Sequence, residues 1–114
     1  MKIVFKNVEK IDDEIKVKEK VFTIPHANGK HYRQLLKFDE TIDYSNMGVE
    51  EHDELVGFVC DVFQNQFTVD EFYDGIPAHE TVETLIDVFS FVRTGKTPEQ
   101  LKTEEEQEEK GKNA

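Results

Sequence analysis

The stretch FQNQFTVDEFYDGI, residues 63–76, decides how this chain is read. Within it, Thr68-Val69-Asp70-Glu71 has the spacing of a capping box, in which the Thr hydroxyl and the Glu carboxylate each accept from a backbone N–H at the helix start. Phe67 stands just ahead of the cap, where an apolar residue can staple the entering chain. Gly75 reads as a left-handed terminator, so the helix it closes is short.

Longer patterns lie on both sides. Upstream, Ser45 or Asn46 is expected to cap a helix whose first turn carries Glu50, Glu51, Asp53 and Glu54, acids suited to the positive end of the helix dipole. Leu55, Val56, Val59, Val62 and Phe63 form its apolar stripe, up to about residue 65. Downstream, Pro77 opens a last helix, where a missing amide hydrogen does no harm. Ala78, Val82, Leu85, Ile86, Phe89 and Val92 supply its stripe; Arg93 lies in its final turn, Gly95 closes it and Pro98 follows. Further upstream, Tyr32, Leu35 and Leu36 share a face of a short helix that fades near Glu40. Ile42 and Tyr44 fall in the connection.

The N-terminal part has strand periodicity. Ile3-Val4-Phe5 is a β-favouring run, and Ile15, Val17 and Val21 alternate with Lys16, Lys18 and Lys20. Phe22 and Ile24 continue on the other parity, which predicts a bulge. Asp12-Asp13-Glu14 is the turn, and Pro25 to Gly29 punctuates the end of the unit. The expected fold class is α+β, mainly α: an N-terminal β-hairpin followed by about four helices and a disordered acidic C-terminal tail. One small globular domain is expected over residues 1–97, with the hairpin in 1–25 and the helical part in 31–95. Residues 98–114, with Leu101 as their one large apolar side chain, cannot bury enough surface to offset ordering and are expected to be disordered.

Charge narrows the function. The chain has 114 residues and a formal charge of −11. Residues 1–37 carry nine bases and five acids, whereas residues 38–92 carry fourteen acids and no Lys or Arg. This balance opposes binding to phosphate backbones and to anionic membrane surfaces. No apolar run could span a bilayer, and the N-terminus lacks the pattern of a secretory signal. Lone Cys60 fits a reducing, intracellular setting. The basic and acidic regions could attract one another between neighbouring copies, giving self-association.

No phosphate-binding glycine loop or nucleophile elbow is present. His26, His31, His52 and His79 are scattered without metal-ligand spacing, and Cys60 sits on an apolar helix as a small hydrophobe. A calcium-loop reading of Asp70 to Gly75 fails, because Phe72 occupies a ligand position and Thr81 stands where a bidentate Glu is needed. No catalytic, metal or cofactor-binding residue is expected, and the chain is not expected to be an enzyme.

Residues 53–76, and above all FQNQFTVDEFYDGI, resemble the tail assembly chaperones of long-tailed, siphovirus-type bacteriophages of Gram-positive bacteria. The likeness covers roughly residues 30–95. It implies a protein that binds the tape measure protein, keeps it soluble and helps recruit major tail protein during tail morphogenesis. It also implies action in the host cytoplasm during assembly, outside the mature virion, and a longer form made by programmed frameshifting. The family motif carries no binding site that transfers residue by residue. Helical geometry supplies two candidates for partner binding: Phe58 and Phe91, each well off the apolar stripe of its own helix. Burial of those helices on two sides is the competing account of both. The alternative function is an acidic DNA mimic that inhibits a host nucleic-acid-binding protein, motivated by the base-free stretch 38–92.

Overall fold

The computed structural model describes residues 1–112, with side-chain surroundings for residues 1–106. Strands β1 (Lys2–Ile11) and β2 (Glu14–Thr23) form an antiparallel hairpin. Helices α1 (Gly29–Thr41), α2 (Val49–Val62), α3 (Val69–Gly75) and α4 (Thr81–Thr94) follow, with a 3₁₀ turn at Ala78–Glu80. Helix α5 (Pro98–Lys112) ends the described chain.

The hairpin register runs from Lys2↔Thr23 to Ile11↔Glu14 without interruption, so the expected bulge is absent. Asp12 and Asp13 make the two-residue turn, both with positive φ. Asp tolerates this left-handed conformation, and such a turn matches the twist of paired strands. The parity change in β2 reflects a change of face rather than an extra residue. Phe22 turns toward the helices and is buried, while Ile15, Val17 and Val21 point to the open side. At the base, the hairpin is closed by paired hydrogen bonds between Met1 and Ile24.

The hairpin packs on its own helices through an aromatic cluster. Phe5 lies 4.6 Å from Phe22 and 4.9 Å from Phe67, centroid to centroid. Phe67 also meets Phe63 and Phe72. The staple residue thus joins α2, α3 and both strands. The Thr68–Glu71 capping box forms as expected: Glu71 N–H donates to Thr68 Oγ1, and Thr68 N–H donates to Glu71 Oε1, each at 3.1 Å.

Gly75 has a different role from the one expected. It lies inside the last turn of α3, and among the described residues Gly95 is the glycine with a positive φ. A Cβ at position 75 would sit 2.4 Å from the Phe5 ring. The glycine is there to let the hairpin approach, and Gly95 is the left-handed helix stop.

The start of α2 also differs. Gly48 is its N-cap, with its N–H bonded to Glu51 Oε2 at 3.0 Å, whereas Ser45 donates to Asp43. In α1, His31, Leu35 and Phe38 face the core, while Tyr32 and Leu36 are exposed. The expected stripe was Tyr32, Leu35 and Leu36, of which only Leu35 is buried. Burial of the imidazole makes the difference: its Nδ1 accepts the Asn28 N–H at 3.0 Å, so the polar ring closes the helix start.

Residues Pro98–Lys112 form a helix. Thr97 and Gln100 cap its start reciprocally, and Lys96 Nζ pairs with Glu104. The expectation for residues 113 and 114 lies outside the described residues.

Candidate partner-binding surface

The apolar residues of α4 span more of its circumference than one neighbour can cover. Val88, Phe91 and Leu85 turn into the core, where α4 packs against both α1 and α2. Val82 and Ile86, assigned to the core stripe by their spacing, are instead 54% and 60% exposed. They form one wall of an open groove of about 400 Å³ with Phe89, and Tyr44, Met47 and Leu55 form the other.

An ion-pair clamp fixes the mouth of this groove. Arg93 reaches from the last turn of α4 to Asp39 on α1, with both guanidinium nitrogens bonded to the carboxylate at 2.9 and 2.7 Å. The Tyr44 hydroxyl donates to the same carboxylate at 2.9 Å. The Arg93 bonds hold the Asp39 carboxyl below its usual range, with the Tyr44 bond adding to this. Burial and the Asp39 contact push the Tyr44 hydroxyl up to about 12, so it remains a donor at neutral pH. The α1–α2 connection is therefore tied to α4, and the Tyr44 ring is held 6.4 Å from Phe89.

The two residues singled out from helical geometry are not at this surface. Phe58 is 5% exposed and Phe91 is 3% exposed. Phe58 packs edge-on against Phe38 of α1 at 5.5 Å and against Phe89 of α4 at 5.7 Å. The exposure that made both residues candidates is absent, because α2 and α4 are each covered on two sides. The signal for the groove was present in the sequence. Counting Val88 and Phe91 with the expected stripe gives α4 an apolar arc of more than half a turn, which leaves some of it uncovered.

Among the described residues, no group of three or more His, Cys, Asp or Glu side chains could hold a metal ion. Burial pushes the Cys60 thiol up to about 11, which removes it as a nucleophile near neutral pH. His31 Nε2 is buried and lies 3.3 Å from Asp61 Oδ2 without hydrogen-bond geometry, while Nδ1 serves the helix start. The other three histidines lie at or near the surface. No helix of the described chain is long and apolar enough to cross a membrane.

Several acids of residues 38–92 already have internal work. Asp39 pairs with Arg93, Asp53 accepts from Tyr73, and Glu51 and Glu71 cap helices. What the surface offers is an apolar groove set in an acidic body, suited to an amphipathic segment of another protein. A protein-family model described as phage tail chaperone protein matches residues 3–113. No curated protein and no solved structure matches the chain.

Proposed function

The chain belongs to the phage tail chaperone family, and from that premise we propose that it binds a tape measure protein through the α4 groove. In this reading it keeps that long partner soluble and helps recruit major tail protein during tail morphogenesis. Its action is non-enzymatic and takes place in the host cytoplasm, and the mature virion does not retain it. The likeness of residues 53–76 to chaperones of siphovirus-type phages of Gram-positive bacteria supports this client and a longer frameshifted form.

The observation that carries the choice of surface is the exposure of Val82 and Ile86 beside Phe89 and Tyr44. A groove of this shape accepts the apolar face of a helix. The surrounding carboxylates keep a protein with such a surface dispersed, since net charge far from zero opposes association. The reading as a DNA mimic is less favoured, because the carboxylates used for caps and clamps do not form a free row.

Co-expression with the tape measure protein tests the proposal. The partner should be insoluble alone and soluble with this chain, and the two should co-purify. An indifferent solubility with no co-purification, for this chain and for any longer frameshifted form, would reject it.

A further inference from the structure

The imidazole of His31 is buried, and only one of its two nitrogens is accounted for. The ring is 1% exposed and lies 6.2 Å from that of Phe58 on α2, centroid to centroid. Nδ1 accepts the Asn28 N–H at 3.0 Å. A backbone amide can only donate, so Nδ1 bears no proton and the neutral ring carries its proton on Nε2. Among the described residues, Nε2 is the buried side-chain polar atom left without a hydrogen-bond partner. Natural interiors leave few such groups, and each calls for a physical reason.

Nε2 faces a carboxylate. Asp61 Oδ2 stands 3.3 Å away, and the Asp61 side chain is 55% exposed. A carboxylate there offers a neutral ring little and an imidazolium a counter-ion. Helices α2 and α4 both pack on α1. From α2, Asp61 is the acid paired with the ring. From α4, the charged side chain set against α1 is Arg93, and it is bonded to Asp39, two turns further along. Lys30 and Arg33 of α1 itself are exposed, and His26 in the preceding link turns its Nδ1 to the Ala27 carbonyl.

His31 stands at the third position of α1, where a capping box places Glu or Gln to accept the amide of the capping residue. Imidazole does the same, but it has a second protonation state. A proton cannot be added to Nδ1 in place. Two N–H groups would then point at each other, and the Asn28 amide would lose its acceptor. An imidazolium held there would also be a buried charge with one side unpaired. Both costs fall if the ring swings toward Asp61, which reaches the surface and can accept Nε2–H in a charge-assisted bond.

We propose that His31 is a proton-operated latch on the link between the hairpin and the helices. The neutral ring bonds the Asn28 amide and pins the first turn of α1. The charged ring pairs with Asp61 and frees that turn. Histidine suits this role because its charge ordinarily changes between about pH 5 and 8. The base of the hairpin has its own ties, from Met1 to Ile24 and from Gln66 to Thr23. Release is therefore confined to the link and the start of α1, and the hairpin stays seated. The latch needs no client protein to operate.

Nuclear magnetic resonance on the full purified chain, isotope-labelled, tests this between about pH 8 and pH 5. At the upper pH the His31 ring should be neutral with its proton on Nε2. On acidification the ring should charge. In step with it, the amides of Asn28, His31 and Tyr32 should exchange at least about tenfold faster than the ordinary pH dependence gives. The amides of Phe63 and Phe72 should keep their protection. Asp61→Asn should move the transition to lower pH. His31→Gln keeps an acceptor and cannot titrate, so it should hold the start of α1 closed throughout. Should that variant fail to fold, the wild-type and Asp61→Asn titrations decide. A proton on Nδ1 at the upper pH, a ring still neutral at the lower, or amides indifferent to its charging would each overturn the latch. So would an unmoved transition in Asp61→Asn, a His31→Gln protein that opens like wild type, or opening that spreads in step to Phe63 and Phe72.

Discussion

Gly75→Ala places one methyl group where the hairpin meets α3. The added carbon would lie 2.4, 2.5 and 2.6 Å from Cγ, Cδ2 and Cβ of Phe5. Ordinary contact begins about 1 Å farther out, and one of the three atoms is the Phe5 Cβ, so turning the ring cannot relieve all of the overlap. Phe5 has little room, since Phe22, Phe67 and Phe72 surround it. The backbones of β1 and α3 must separate. Overpacking of this kind costs about 3 kcal/mol, against about 1 kcal/mol gained by replacing a helical glycine with alanine. The net loss is about 2 kcal/mol, or about 8 °C in Tm for a domain of this size. Thermal and urea denaturation followed by circular dichroism measure it. Gly57→Ala is the control: that helical glycine has no atom within 4 Å of an added Cβ, so alanine should stabilise by about 0.5–1 kcal/mol. A Gly75→Ala protein as stable as wild type would refute the close-approach argument. So would a cycle with Phe5→Leu showing no coupling.

Three other outcomes are expected. Asp39→Asn should cost about 0.5–1 kcal/mol at neutral pH, a modest figure because the ion pair is partly exposed. Because the folded-state carboxyl is held below the unfolded value of 3.8, that difference should be full above about pH 4 and vanish as pH falls through the folded value. Asp87→Asn should raise stability at neutral pH, since burial and then Glu83 and Glu99 push that carboxyl up, and the gain should fade in acid; a pH series of urea midpoints checks both. His31→Leu should cost about 1–2 kcal/mol by leaving the Asn28 N–H without its acceptor, with hydrogen exchange at the start of α1 accelerating first.

Local chemistry was legible in the sequence where its partners lie within a few residues. The Thr68–Glu71 box, the Asp12–Asp13 turn and the Gly95 stop are of this kind, and each forms as the spacing implies. The hairpin and the order of the helices followed from them. Whatever depends on a distant neighbour was not legible. Gly75 looks like a terminator until Phe5 is seen beside it. His31 looks like a surface residue until its Nδ1 is seen to serve a helix start. Phe58 and Phe91 stand off their stripes, yet both are covered because α2 and α4 each pack on two sides. The groove lies where apolar arc exceeds available cover, and periodicity reports the arc without the cover.

The measurement that bears most directly on the α4 groove as the client surface is co-expression of the tape measure protein with Val82→Glu/Ile86→Glu. Both side chains are largely exposed, so the variant should fold with a stability within about 0.5 kcal/mol of wild type for each substitution. The account predicts that the partner returns to the insoluble fraction and no longer co-purifies. Full solubility and unchanged co-purification with a folded variant would contradict it.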